Sequence, residues 1–202
     1  RSTPLGRRQR QMCIRDSLHG GIKPYGATFL VFTDYARNAV RLSALMKLPN
    51  IFVYTHDSIA LGEDGPTHQP VEHLVTLRST PNLESWRPAD LVETAVAWKN
   101  AVKSKDSPTC LIFSRQNTSA ISRNQNQIDN IDKGGYLVKE NNNAAISLVA
   151  SGSELQLILD AAEVLEKDFG IASNIISMPC LDRFLDNEDD YHSSILKPNL
   201  PI

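Results

Sequence analysis

The chain has 202 residues, of which 41% are hydrophobic and 22% charged, with a formal net charge of -2. That length suits one medium α/β domain or one and a half smaller ones, and no basic excess points to nucleic acid. Apolar runs such as Thr109–Phe113 are strand-length and far too short to span a bilayer, and three widely spaced cysteines (Cys13, Cys110, Cys180) imply neither a disulfide framework nor a metal knuckle, which fits a reducing cytoplasm.

Residues 1–17 carry five arginines and one acid, with no helical or strand periodicity. They are expected to be a non-native segment and are set aside. From Thr28 the pattern alternates helix and strand. Phe29, Phe32, Tyr35, Ala36, Ala39, Val40 and Ala44 recur at spacings of three and four, which predicts one helix face, stopped at Pro49. Ile51–Tyr54 reads as a strand buried on both faces, followed by a Gly/Asp/Pro-rich loop from Ser58 to about Pro70. Pro88 is expected in the first turn of a second helix whose apolar face is Leu91, Val92, Ala95, Val96 and Val102. Thr109–Phe113 is the next strand.

Between Gln116 and Asn143 the composition turns polar, and 118–143 is expected to be a linker. Beyond it, Ala144–Ala150 reads as a strand, and Ser153 with Gln156 as a capping box opening a helix through about Phe169. Ile171–Met178 is another strand, and 182–196 holds a final helix. The αβ pattern is expected to be cut off at the carboxyl end. The fold class is therefore α/β, a parallel sheet covered by helices, followed by a truncated second α/β unit.

Ligands of parallel α/β sheets bind beyond the carboxyl ends of the strands. Two polar clusters fall at such ends: Thr55–Ser58, extended through Leu61–His68, and Ser114–Asn117. Imidazoles exchange hydrogen bonds with hydroxyls and arginine grips phosphate in a two-pronged way, so the set suits a phosphorylated polyol. Taken singly, each residue has a plainer reading. A histidine at a strand end is by default turn-bonded, Asp64-Gly65-Pro66 a tight turn, Arg115 a surface ion-pair partner, and an aromatic stripe core.

The string YTHDSIALGEDGPTHQP (Tyr54–Pro70) resembles the signature of the transketolase pyrimidine-binding domain. It stands in order with LHGG (Leu18–Gly21), TFLVFTDYARNAVR (Thr28–Arg41), ESWRPAD (Glu84–Asp90) and LIFSRQN (Leu111–Asn117). The similarity continues through Gly134–Tyr136 and Leu148–Leu157, the latter resembling the opening of the family's C-terminal domain. The resemblance divides the chain into an N-terminally truncated pyrimidine-binding domain at 18–117, the linker 118–143, and a truncated C-terminal domain at 144–202. Ala60 stands where the family often has glycine.

The resemblance implies a thiamine-diphosphate enzyme that transfers a two-carbon ketol unit between sugar phosphates in the pentose phosphate pathway, cytoplasmic and homodimeric. Phe32 is matched to the ring that stacks on the cofactor's aminopyrimidine, with Phe29 and Tyr35 lining the same pocket. His56, Asp64 and His68 are matched to binders of sugar hydroxyls, with His68 also moving protons, and Arg115 to a phosphate anchor. No metal ligand is expected in this chain. The divalent ion, such as Mg2+, and the cofactor's diphosphate belong by resemblance to an N-terminal domain, and the activating glutamate to a stretch that Asp16 does not match. The chain alone is thus expected to be inactive. Alternatives are dihydroxyacetone synthase, deoxyxylulose-phosphate synthase, or a non-catalytic binding or dimerisation module.

Overall fold

Short runs of β-branched and aromatic residues, separated by amphipathic helices, build two sheets. The computed structural model describes residues 21–202. The arginine-rich segment 1–17, and residues 18–20 of the LHGG motif, lie outside the described residues. The chain divides into two compact units, one of the described residues up to Ser85 with Lys99–Arg115, the other of Trp86–Trp98 with Gln116–Ile202.

The first unit is organised on strands β1 (Tyr25–Phe29), β2 (Ile51–Thr55), β3 (Glu84–Trp86) and β4 (Thr109–Phe113), in the order β1-β2-β4-β3. β1 pairs with β2 and β2 with β4, both in parallel. The inner strands bury four consecutive residues each, Ile51–Tyr54 and Thr109–Ile112, as strands covered on both faces must. Phe52, Tyr54, Cys110 and Ile112 share one core with Leu30, Val40, Ala44 and Leu77.

The single helix expected over Phe29–Ala44 is replaced by three elements. Phe29 ends β1 with extended backbone (φ -71°, ψ 148°), Leu30–Tyr35 is a 3-10 turn, and α1 covers Arg37–Leu45. A 3-10 helix has three residues per turn, so Phe32 and Tyr35 eclipse each other, as do the buried Leu30 and Thr33. The spacing of three that looked α-helical is satisfied by this tighter turn.

α1 stops before Pro49. Leu48 N–H donates to Ser43 O (2.9 Å) and Lys47 N–H to Ala44 O (3.2 Å), with Lys47 left-handed at φ 54°. That is a Schellman end built without glycine. The next helices are α2 (His73–Arg78) and α3 (Leu91–Lys103). Pro88 precedes α3 rather than entering its first turn. Asp90 starts the helix, its Oδ1 accepting from Glu93 N–H at 3.1 Å. The expected apolar face is also corrected. Leu91 is 84% exposed and Val102 59%, while Glu93, Ala97, Asn100 and Ala101 are buried. At the far end Lys23 Nζ donates to Val102 O (2.7 Å) and Ser104 O (2.5 Å), placing a cation on the last carbonyls of α3.

The second unit holds a three-stranded sheet in the order β5-β7-β6, from β5 (Tyr136–Lys139), β6 (Ile146–Ala150) and β7 (Ser173–Ser177). β6 runs parallel to the fully buried β7, and β5 antiparallel to it. Ile175 and Ile176 point to opposite faces, as strand neighbours do, and seed two cores. Ile175 packs with Leu155 and Ala162 of α5 (Glu154–Phe169), and Ile176 with Met178, Phe184 and Ile195. Two short helices, α6 (Leu181–Leu185) and α7 (Asp189–Ile195), stand where one was expected.

The stretch expected to be a linker is ordered in part. It contains α4 (Gln125–Ile131) and β5. Its Asn/Gln crowding is a capping box: Asn124 Oδ1 accepts from Gln127 N–H and Gln127 Oε1 from Asn124 N–H, both at 2.9 Å. By contrast, Ser153 makes no cap hydrogen bond at the start of α5. Gly134 follows at φ 85°, and a Cβ there would come within 2.3 Å of Cys180 O, so only glycine fits. Among the described residues no helix is long and apolar enough to cross a membrane.

Candidate active site

The register of the first sheet aligns its strand ends. Phe29 lies opposite Thr55 and Thr55 opposite Phe113, so the segments leaving β1, β2 and β4 share one rim. This is the carboxyl edge, where a parallel sheet receives its ligands.

Five of the expected site residues meet there in ring contact. Phe29 stacks on His56 with centroids 3.8 Å apart and on Phe32 at 5.9 Å, the two phenyl planes only 8° apart. Phe32 in turn meets Tyr35 at 5.9 Å and the edge of His68 at 5.4 Å and 77°. Such offset and edge-on pairs add ~0.5–1.5 kcal/mol each beyond area burial. Phe29, Phe32, His56 and His68 are half-buried and Tyr35 is 65% exposed, so part of the aromatic wall faces solvent. A flat heteroaromatic ring fits a wall of that kind.

Both imidazoles are oriented by a neighbouring hydroxyl. His56 Nδ1 lies 3.0 Å from Thr55 Oγ1, and His68 Nδ1 lies 2.9 Å from Thr67 Oγ1. His56 also sits in the left-handed region, at φ 61°. That conformation is uncommon for a residue with a Cβ, and it turns the chain sharply at the end of β2. Ser58 closes the turn, its Oγ accepting from Ala60 N–H at 3.3 Å.

Asp64 and Arg115 stand apart from the rings. Asp64 is exposed beside Gly65, whose φ is 75°, and Arg115 is exposed two residues beyond the end of β4. Both are on segments that leave or border the same rim. A carboxylate accepts from hydroxyls and a guanidinium pairs with anions, so the residue types are of the expected kind.

The second unit contains a polar cluster not foreseen from the sequence. Glu93 is fully buried. Its Oε1 accepts from Tyr136 OH and Ser177 Oγ, both at 2.7 Å, and from Arg123 Nη2 at 3.3 Å, while Oε2 accepts from Ala89 N–H at 2.7 Å. Arg123 Nη1 also donates to Asp90 Oδ2 at 2.5 Å. Burial, with the Glu93 carboxylate alongside, pushes the Tyr136 hydroxyl far above its ordinary range. Burial opposes the Arg123 charge, but the hydrogen bond to Asp90, with Tyr136 and Glu93, raises it on balance. Asp90 with Glu93 three residues on, ahead of an apolar run, is the sequence signal that could have revealed part of it.

Comparison with known proteins matches both units. The family model described as the transketolase pyrimidine binding domain covers residues 16–120. That described as the transketolase-like C-terminal domain covers 134–202. A curated relative, Transketolase 2 of Vibrio parahaemolyticus, is 54% identical over 181 residues, which is 89% of this chain and 27% of the relative. A crystal structure of a Pichia stipitis transketolase complex with sedoheptulose-7-phosphate aligns with a TM-score of 0.82 at 46% identity, over 86% of this chain and 25% of that one. A structure described as a split gene transketolase, inactive beta4 tetramer, aligns with a TM-score of 0.66 at 27% identity, over 81% of this chain and 51% of that one. The chain thus spans about a quarter of the length of the curated relatives it matches.

Proposed function

Since the chain belongs to the transketolase family, we propose that it supplies the pyrimidine-binding side of an active site that moves a two-carbon ketol unit between sugar phosphates. The observation that carries this reading is the wall of half-buried Phe29 and Phe32 with exposed Tyr35, in contact with His56 and His68 at the sheet's carboxyl rim. Thiamine diphosphate, when bound, supplies the electron sink that lets a carbon–carbon bond beside a ketose carbonyl break.

The chain's own residues bind and orient. Phe32 offers its face to the aminopyrimidine, and Phe29 and Tyr35 hold water from the ring's flanks. His56 and Asp64 take sugar hydroxyls. His68, its Nδ1 engaged by Thr67, presents Nε2 to hold or return a proton at a hydroxyl, a role worth about 100-fold or more in rate. Arg115 anchors the phosphate. The sugar-phosphate class is supported by the Pichia stipitis complex, whose ligand is a ketose phosphate.

The remaining requirements belong to the longer protein: a divalent ion such as Mg2+, the diphosphate site, the activating glutamate and a homodimeric, cytoplasmic setting. The boundaries we propose for the pyrimidine-binding and C-terminal domains are 18–117 and 144–202. The chain by itself is inactive in this reading, and an inactive split-gene relative of similar fold supports that view. Purified chain incubated with thiamine diphosphate, Mg2+, xylulose 5-phosphate and ribose 5-phosphate is expected to yield no sedoheptulose 7-phosphate. Turnover by the chain alone would overturn the reading of a divided site.

A further inference from the structure

We propose that Asp34, Glu72 and His73 form a binding site for a divalent first-row transition-metal ion, with Zn2+ as its natural class of occupant. None of the three belongs to the ring cluster at the rim. Asp34 sits on the 3-10 turn Leu30–Tyr35, rotated away from Phe32 and Tyr35, which share another face of that turn. Glu72 and His73 open α2.

His73 is the uncommon member. It is 95% buried by its 5% exposure, yet neither ring nitrogen makes a hydrogen bond. Both nitrogens nevertheless face carboxylates. Nε2 lies 3.3 Å from Asp34 Oδ2, and Nδ1 lies 3.9 Å from Glu72 Oε2. The first is an ion-pair distance without hydrogen-bond geometry. A buried polar group normally has its partner, so Nε2, unmet by a hydrogen bond and beside Asp34, points to a ligand.

One ligand atom from each residue lies within 4.8 Å of the others. In a four-coordinate site with metal–ligand distances of about 2.0–2.2 Å, neighbouring ligand atoms are about 3.3 Å apart. The Asp34–His73 pair already has that separation. Glu72, 71% exposed, closes the remaining gap by side-chain rotation, and Asp34, 60% exposed, leaves the approach open to water. One imidazole and two carboxylates with a fourth position for water is a donor set for Zn2+. Mg2+ and Ca2+ favour all-oxygen shells, which the imidazole disfavours.

The test is calorimetric titration of the chain with Zn2+, together with the visible spectrum of its Co2+ form. One ion per chain and a four-coordinate Co2+ band are expected. His73→Gln should abolish both, and Asp34→Asn should weaken binding at least about tenfold, the loss that even an outer-shell partner produces. Asp34 is exposed, so that variant tests the site even if the buried substitution unfolds the protein. His56→Gln and His68→Gln should leave the stoichiometry unchanged. Absence of binding, or binding that survives Asp34→Asn and is lost with His56→Gln or His68→Gln, would overturn the assignment.

Discussion

His56 adopts a backbone conformation that costs a residue with a Cβ of order 1–2 kcal/mol, and its ring is stacked 3.8 Å from Phe29 at the end of the neighbouring strand β1. Phe29 and the Thr55 hydroxyl hold the ring at the carboxyl rim. Away from the rim, Glu93 concentrates several interactions on one buried carboxylate. Removing one partner of a buried charge network leaves the others desolvated and unpaired, so Glu93→Ala is predicted to cost ~3–5 kcal/mol in urea unfolding. Leu91→Ala, two residues earlier but 84% exposed, should change stability by less than about 0.5 kcal/mol. This ordering reverses what hydrophobicity alone would suggest, because the helix start is held by polar contacts to Asp90, Ala89 and Arg123 rather than by an apolar stripe.

At the scale of elements, the end of α1 is built with a lysine where glycine is the unstrained choice. Lys47→Gly removes the left-handed penalty while keeping both backbone hydrogen bonds of the Schellman end. A gain of ~1 kcal/mol, read as a higher midpoint in urea, is predicted. A loss would mean that the Lys47 side chain carries an interaction outweighing its strain. The strands β2 and β4 were legible in the sequence because each is a nearly unbroken apolar or β-branched run, β6 and β7 through the shorter apolar segments Leu148–Ala150 and Ile175-Ile176, and α5 because its helical pattern extends over 16 residues. The other errors have local causes. β1, with Gly26 and Ala27 in an edge position, has too little apolar contrast to announce a strand. Phe29, Phe32 and Tyr35 satisfy helical spacing, but a strand end and a 3-10 turn satisfy it equally well. Polar Asn124–Gln127 reads as linker unless the reciprocal cap is recognised.

For the whole molecule, the site residues were legible chiefly through the long Tyr54–Pro70 string, whose turn geometry no periodicity encodes. A shared rim for the strand ends followed from a parallel sheet, and Phe29, Thr55 and Phe113 do stand in register, while Asp64 and Arg115 remain apart from the ring cluster. Of the polar cluster around Glu93, the sequence offers the local Asp90–Glu93 start of α3, but not the long-range part that joins Glu93 to Ser177, more than 80 positions away. The Asp34–Glu72–His73 grouping was hidden for the same reason: it depends on how α2 lies against the 3-10 turn, not on spacing in the chain.

As proposed, this chain carries the pyrimidine-facing side of a divided transketolase site. The direct measurement is complementation, mixing the purified chain with a separately produced N-terminal portion of the Vibrio parahaemolyticus relative that carries both the diphosphate site and the activating glutamate, and following sedoheptulose 7-phosphate formation. Activity absent from either part is predicted to appear in the mixture, and to fall about 100-fold or more with His68→Ala. Folded parts that associate yet show no turnover, or turnover indifferent to His68→Ala, would contradict the claim.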